Sequence, residues 1–164
     1  MKTNWLQTDA NWASLVLRVT LGGVILPHGL SKLGAGYAPF MDYFTGPEGL
    51  NMPYALGLLT VGIETLGAVL LILGLATRLN AVLMAGLFVG MIAFVHWADG
   101  FYMNWFGQLE KGHEGFEYHL LVLAMSAALL VLGGGRWSVD GRLLSRQHKQ
   151  ARLATRRHEL AEIN

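Results

Sequence analysis

Four stretches of this 164-residue chain are apolar for about the 20 residues a helix needs to cross the hydrocarbon of a bilayer. They cover residues 12–33, 54–76, 79–98 and 116–134. Inside lipid every backbone group must be paired within the protein, so only helices or closed barrels can span. The runs are too long and too evenly apolar for barrel strands. The pattern therefore predicts an all-α fold, an integral membrane four-helix bundle. Punctuation agrees with the division: Pro53 precedes the second run, where a first-turn proline loses no hydrogen bond, and Gly133-Gly134-Gly135 ends the fourth. The short Thr77-Arg78-Leu79-Asn80 link predicts that runs two and three form an antiparallel hairpin.

Composition sharpens this picture. Hydrophobic residues make up 53% of the chain and charged residues only 14%, against about 25% charge in soluble domains. That excludes a disordered chain, a nucleic-acid-binding domain and an ordinary water-soluble enzyme. The chain has no cysteine, which excludes disulfides, thiolate metal ligands and self-held iron–sulfur clusters. Its 21 glycines suit close helix packing in lipid. The start, Met1-Lys2-Thr3-Asn4-Trp5, has no compact apolar stretch before a cleavage site, so no cleaved secretory leader is expected.

Charge is segregated. Of the twelve Lys and Arg, seven lie at or after Arg136, and the second loop carries Arg78. The first and third loops are acidic, with Asp42, Glu48, Asp99, Glu110 and Glu114 against Lys111. The positive-inside rule then places both termini in the cytoplasm. The chain divides into a transmembrane domain, residues 1–140, and a basic cytoplasmic tail, residues 141–164. Both outward loops are rich in aromatics (Tyr37, Phe40, Tyr43 and Phe44; Phe101, Tyr102, Trp105 and Phe106), as an interfacial belt or as a lid over an apolar ligand.

Ionisable residues inside the spans carry the chemistry, because each costs about 2.5–3.5 kcal/mol or more at midplane unless paired or hydrated. Arg18 and Glu64 are expected at nearly the same depth, as a buried charge pair that fixes helix register or serves as a proton relay. Gly57, Thr60, Gly67 and Ala68 share a side with Glu64 and favour close packing there. At the outer mouth, His28 and Lys32 share one face, and His96, Glu117 and His119 reach a similar depth. Three readings compete for this group: a hydrated headgroup cluster, a quinone-head or proton-relay site, and metal or haem ligation. For a metal ion, the spacing favours His96 with Asp99 and His113 with Glu117.

The order Arg18-x-x-Leu21-Gly22, His28-Gly29-x-x-Lys32-Leu33, Gly62-x-Glu64-x-x-Gly67, Leu73-Gly74-x-x-Thr77-Arg78, Gly115-x-Glu117-Tyr118 and Ser138-x-Asp140 resembles the DoxX family. The resemblance runs from about Trp12 to Asp140. It implies a small four-helix bacterial membrane protein, similar to the membrane subunit of thiosulfate:quinone oxidoreductase or to proteins of membrane complexes that handle oxidative stress. Arg18, His28, Glu64, Glu117 and His119 match polar positions of the family. The leading expectation is thus a redox-associated membrane subunit holding an apolar ligand, a quinone before a haem or a metal ion. The expected partners are membrane lipid, a second copy of the chain or a soluble redox protein, and no nucleic acid. Two rivals stand beside it: an assembly protein that recruits a partner through its basic tail, and a small-molecule carrier.

Overall fold

The first transmembrane helix starts where Asn11 caps it, its side-chain oxygen accepting from the Ser14 amide at 2.8 Å. Residues 11–107, 109–110 and 113–162 are described in a computed structural model, with side chains as far as residue 155. Lys2, Lys111 and the side chains of Arg156 and Arg157 lie outside the described residues. Six helices follow in order among the described residues. α1 spans Trp12–Ser31, and after a short 3₁₀ turn α2 spans Tyr37–Thr45. α3 covers Tyr54–Leu73 and α4 covers Thr77–His96. α5 is Glu117–Leu132 and α6 is Val139–Glu162. There is no strand among the described residues.

α1, α3 and α4 are each 20 residues long and apolar enough to cross a membrane. α5 is equally apolar but has 16 residues, about 24 Å at 1.5 Å per residue. It is shorter than residues 116–134 because both ends are fixed from outside. The Glu117 amide donates to the Phe101 carbonyl at 2.9 Å, holding the entry in a loop pairing, and Gly133, at φ 70°, turns the chain out. The hairpin between α3 and α4 also differs from expectation. Gly74 and Ala76, both left-handed, form the turn, and Thr77 already belongs to α4.

Leu21, Ile25, Ile63, Leu71, Met84, Phe88, Val122 and Leu129 fill the centre of the bundle, contributed by α1, α3, α4 and α5. The outward faces carry Val16, Leu66, Val89, Leu121 and Val131, all more than half exposed. Apolar residues on both the inside and the outside of a bundle are what a lipid solvent permits. The fold is an all-α membrane bundle.

α1 and α3 run antiparallel and lie very close. A Cβ at Gly29 would sit 2.6 Å from the carbonyl carbon of Glu64, and one at Gly22 would sit 2.7 Å from the Ala68 oxygen. These contacts set the register between the helices. Glu64 therefore lies opposite the last turns of α1, and the first turns of α3 project beyond it. α2, missing from the expected elements, covers that projection, with Met41 and Phe44 against Gly57.

Candidate functional site

The polar residues buried in the bundle separate into two groups at opposite ends. The tail end lies beside α6, and the loop end lies beside residues 97–107 and 113–117.

At the tail end Arg18 is almost fully buried. Its Nε donates to the Gly134 carbonyl at 3.0 Å, Nη2 to the Arg136 carbonyl at 3.0 Å, and Nη1 to the carbonyls of Leu71 and Ile72. Asp140 lies within its electrostatic reach. The Asp140 carboxylate accepts from the amides of Ala76 and Thr77 at 2.8 and 2.9 Å, capping α4, while its own amide donates to the Gly74 carbonyl. Ser14 Oγ donates to the Gly133 carbonyl. Two charged side chains thus tie the ends of α1, α3, α4, α5 and α6 through backbone groups. The hydrogen-bond partners of these two charges are backbone groups of other segments.

The expected Arg18–Glu64 pair is not formed. Both residues address the same face of α1, but Glu64 sits at the level of Gly29, eleven residues beyond Arg18, or about 16 Å along the axis. Glu64 instead takes Lys32, with Nζ 2.5 Å from Oε2. Lys32 also reaches the His28 carbonyl at 3.4 Å and lies 5.4 Å from the centre of the Phe40 ring. The His28 side chain is exposed and does not join this group. Gly29 occupies the contact with Glu64, and one residue rotates the direction by about 100°.

The loop end gathers Glu64, Lys32, Tyr118, His119 and His96. Glu64 is 2% exposed, on a residue type that is almost never buried without a partner. It sits in a π-helical turn, Ile63–Gly67, and His96 ends a second one, Ile92–His96. Such turns insert an extra residue into an α-helix and are frequent at functional sites. The His96 and His119 rings lie 4.2 Å apart between centres, with Phe88 5.3 Å from His119 on the core side. The Tyr118 hydroxyl lies within electrostatic range of Glu64.

Two polar atoms here are buried with no hydrogen-bond partner: His119 Nδ1 and the Tyr118 hydroxyl. Thr77 and Ser126 also carry unpartnered hydroxyls, but these are small rotors that adjust about a single bond. An imidazole nitrogen and a phenol are held where their rings point. A buried polar group without a partner costs about 1–3 kcal/mol, so this pair is a standing demand for a ligand or water.

The loop above the cluster is built from the remaining acidic residues. Glu117 accepts from Trp105 Nε1 at 2.5 Å and from the Met103 amide at 3.1 Å. Glu114 accepts from the Asn104 amide at 2.7 Å, and its carbonyl meets His96 Nδ1 at 2.7 Å. Asp99 pairs with His113 at 2.8 Å. Glu117 therefore shapes the loop and is not turned toward the core. His96, Asp99, His113 and Glu117 do not converge. Among the described residues no three His, Asp or Glu side chains are placed to hold a metal ion.

Tyr118 and the Asp140 cap are not among the site residues that the sequence pattern marks. Tyr118 reads as an ordinary interfacial aromatic in sequence. Asp140 had a signal, Ser138-x-Asp140 after three glycines, which is a helix-start pattern.

Comparison with known proteins gives the family. Residues 13–97, which carry Arg18, Lys32, Glu64 and His96, match the family model DoxX. A Bacillus subtilis (strain 168) protein named "Putative oxidoreductase CatD" is 32% identical over 116 residues, covering 71% of this chain and 77% of that protein. No solved structure is significantly similar. On both sequence comparisons, this chain belongs to the DoxX family.

Proposed function

We propose that this protein is the membrane subunit of an oxidoreductase and that its loop end receives the head of a quinone. The observation that carries this reading is the pair of buried, unpartnered polar atoms, His119 Nδ1 and the Tyr118 hydroxyl, the hydroxyl within electrostatic range of Glu64, the partner of Lys32. A quinone is an apolar molecule that dissolves in the bilayer and ends in a ring with carbonyl oxygens. Those oxygens accept from the Tyr118 hydroxyl and from His119 in its Nδ1–H tautomer. Phe88 and His96 offer ring faces alongside. The relative's name points the same way, toward redox chemistry.

Reducing a quinone to its quinol adds two electrons and two protons. The electrons come from a partner protein, and this chain binds the head and delivers protons. Glu64, held by Lys32, and the His119–His96 pair are the groups able to exchange protons. The reading places the protein in the bacterial inner membrane with both termini in the cytoplasm, so the quinone head enters at the outer face.

The test is binding of a short-chain quinone to the purified, reconstituted protein, followed by tryptophan quenching. His119→Leu and Tyr118→Phe should each weaken binding by about tenfold, as the loss of one good hydrogen bond does. Quenching that is equal in wild type and both variants would sink the assignment.

A further inference from the structure

At the tail end, outside the knot of Arg18 and Asp140, three large side chains face outward together. The Arg136 guanidinium lies 4.7 Å from the centre of the Trp12 ring, and Trp12 meets Trp137 edge-on at 5.1 Å. Trp12 and Trp137 are 51% and 67% exposed. Trp137 holds this place with φ 54°. That left-handed backbone is a marked outlier for a bulky residue. Arg136 is exposed, and no carboxylate among the described residues pairs with it.

Above this cluster, α1 presents a continuous apolar strip. Trp12, Val16, Val19 and Gly23 follow one another at spacings of four, three and four, so they share a face. Val16 and Val19 are exposed, and a Cβ at Gly23 would meet nothing within 4 Å. The strip is open from the cluster to midspan. A planar cation held on an indole, between interfacial tryptophans and below a lipid-facing strip, matches one kind of molecule.

We infer that Arg136, Trp12 and Trp137 bind the phosphate of an anionic phospholipid whose acyl chain lies along Val16, Val19 and Gly23. The guanidinium supplies paired donors to phosphate oxygens, and stacking on Trp12 orients it in advance. Tryptophan favours the headgroup level, so the two indoles also fix the depth of the site. This inference does not depend on the quinone assignment, because the two sites lie at opposite ends of the bundle.

Native mass spectrometry of the full chain, released from mixed phosphatidylglycerol and phosphatidylcholine, reads the site directly. Wild type should retain one phosphatidylglycerol in preference to phosphatidylcholine by about tenfold, the lower end of what a hydrogen bond to a charged group is worth. Arg136→Gln should remove the preference. Arg136→Lys, which keeps the charge but not the planar fork, should lose most of it. Soluble glycerol phosphate in excess should not displace the lipid, since it has no chain to occupy the strip. The inference is overturned if wild type shows no preference, if Arg136→Lys matches wild type, or if glycerol phosphate displaces the lipid. Thermal melting of all three proteins in detergent should agree within a few degrees, which keeps misfolding separate from lost binding.

Discussion

The two ends of the bundle treat buried polarity in opposite ways. At the tail end, Arg18 and Asp140 meet backbone carbonyls and amides, and five helices are joined in doing so. At the loop end, Glu64 has one strong partner, while His119 and Tyr118 keep polar atoms with none. A charge whose hydrogen bonds run to the backbone of other helices stabilises the fold. A buried ring atom left without a partner costs stability, and its persistence calls for something the folded chain alone does not supply. Charge inside the membrane is therefore not one signal here, and its accounting of partners separates architecture from chemistry.

The largest expected effect is at Arg18. Arg18→Met should lower stability by about 3–5 kcal/mol, since removing one member of a buried charged network leaves the others unpaired. Unfolding in mixed detergent measures it, and a loss under about 1 kcal/mol would mean the tail end is not the structural knot described. Gly29→Ala should come next, at about 1–3 kcal/mol, because the new methyl group runs into the backbone at Glu64. Asp140→Ala should cost about 1–2 kcal/mol through the lost cap on α4, whereas Asp140→Asn should recover much of that.

At the loop end the sign should reverse. His119→Leu removes an unpartnered polar group in favour of an apolar one, so stability should hold or rise slightly while quinone binding falls. A large loss of stability in that variant would erase the contrast between the ends. The smallest effect is expected at the loop surface. The hydrogen bond and charge of Asp99 hold the His113 pKa above its ordinary value of 6.5, with Glu110 adding to the shift. A folded-state value above the unfolded one means the His113–Asp99 clasp contributes fully below pH 6.5 and is lost as pH rises through the raised value. Hydrogen exchange in residues 99–117 should quicken over that rise. His113→Gln should flatten the dependence; a profile unchanged in the variant would assign it to another group.

Much of the fold was legible along the chain. Apolar runs of membrane length located α1, α3, α4 and α5, because lipid leaves helices little alternative. Residue chemistry also marked Arg18, Glu64 and His119 as unusual, since charge and imidazole are costly in a bilayer. α2 was not legible: nine residues rich in aromatics read equally well as loop or lid, and what makes them a helix is the exposed start of α3 that they cover. The short reach of α5 was hidden for a similar reason, because its first turn is set by pairing with Gly100 and Phe101 in another segment.

What the sequence determined by itself was the solvent this chain folds in, the number of its core helices and the few side chains that must be compensated there. These follow from transfer free energies, which depend on composition over a window and on no particular neighbour. The tertiary structure alone decided which charge meets which partner. Depth counted from the ends of a span treats helices as level, but Gly22 and Gly29 let α1 and α3 lock together with an offset. That offset sets Arg18 and Glu64 about 16 Å apart along the helix axis, gives Glu64 to Lys32 and gives Arg18 to the backbone.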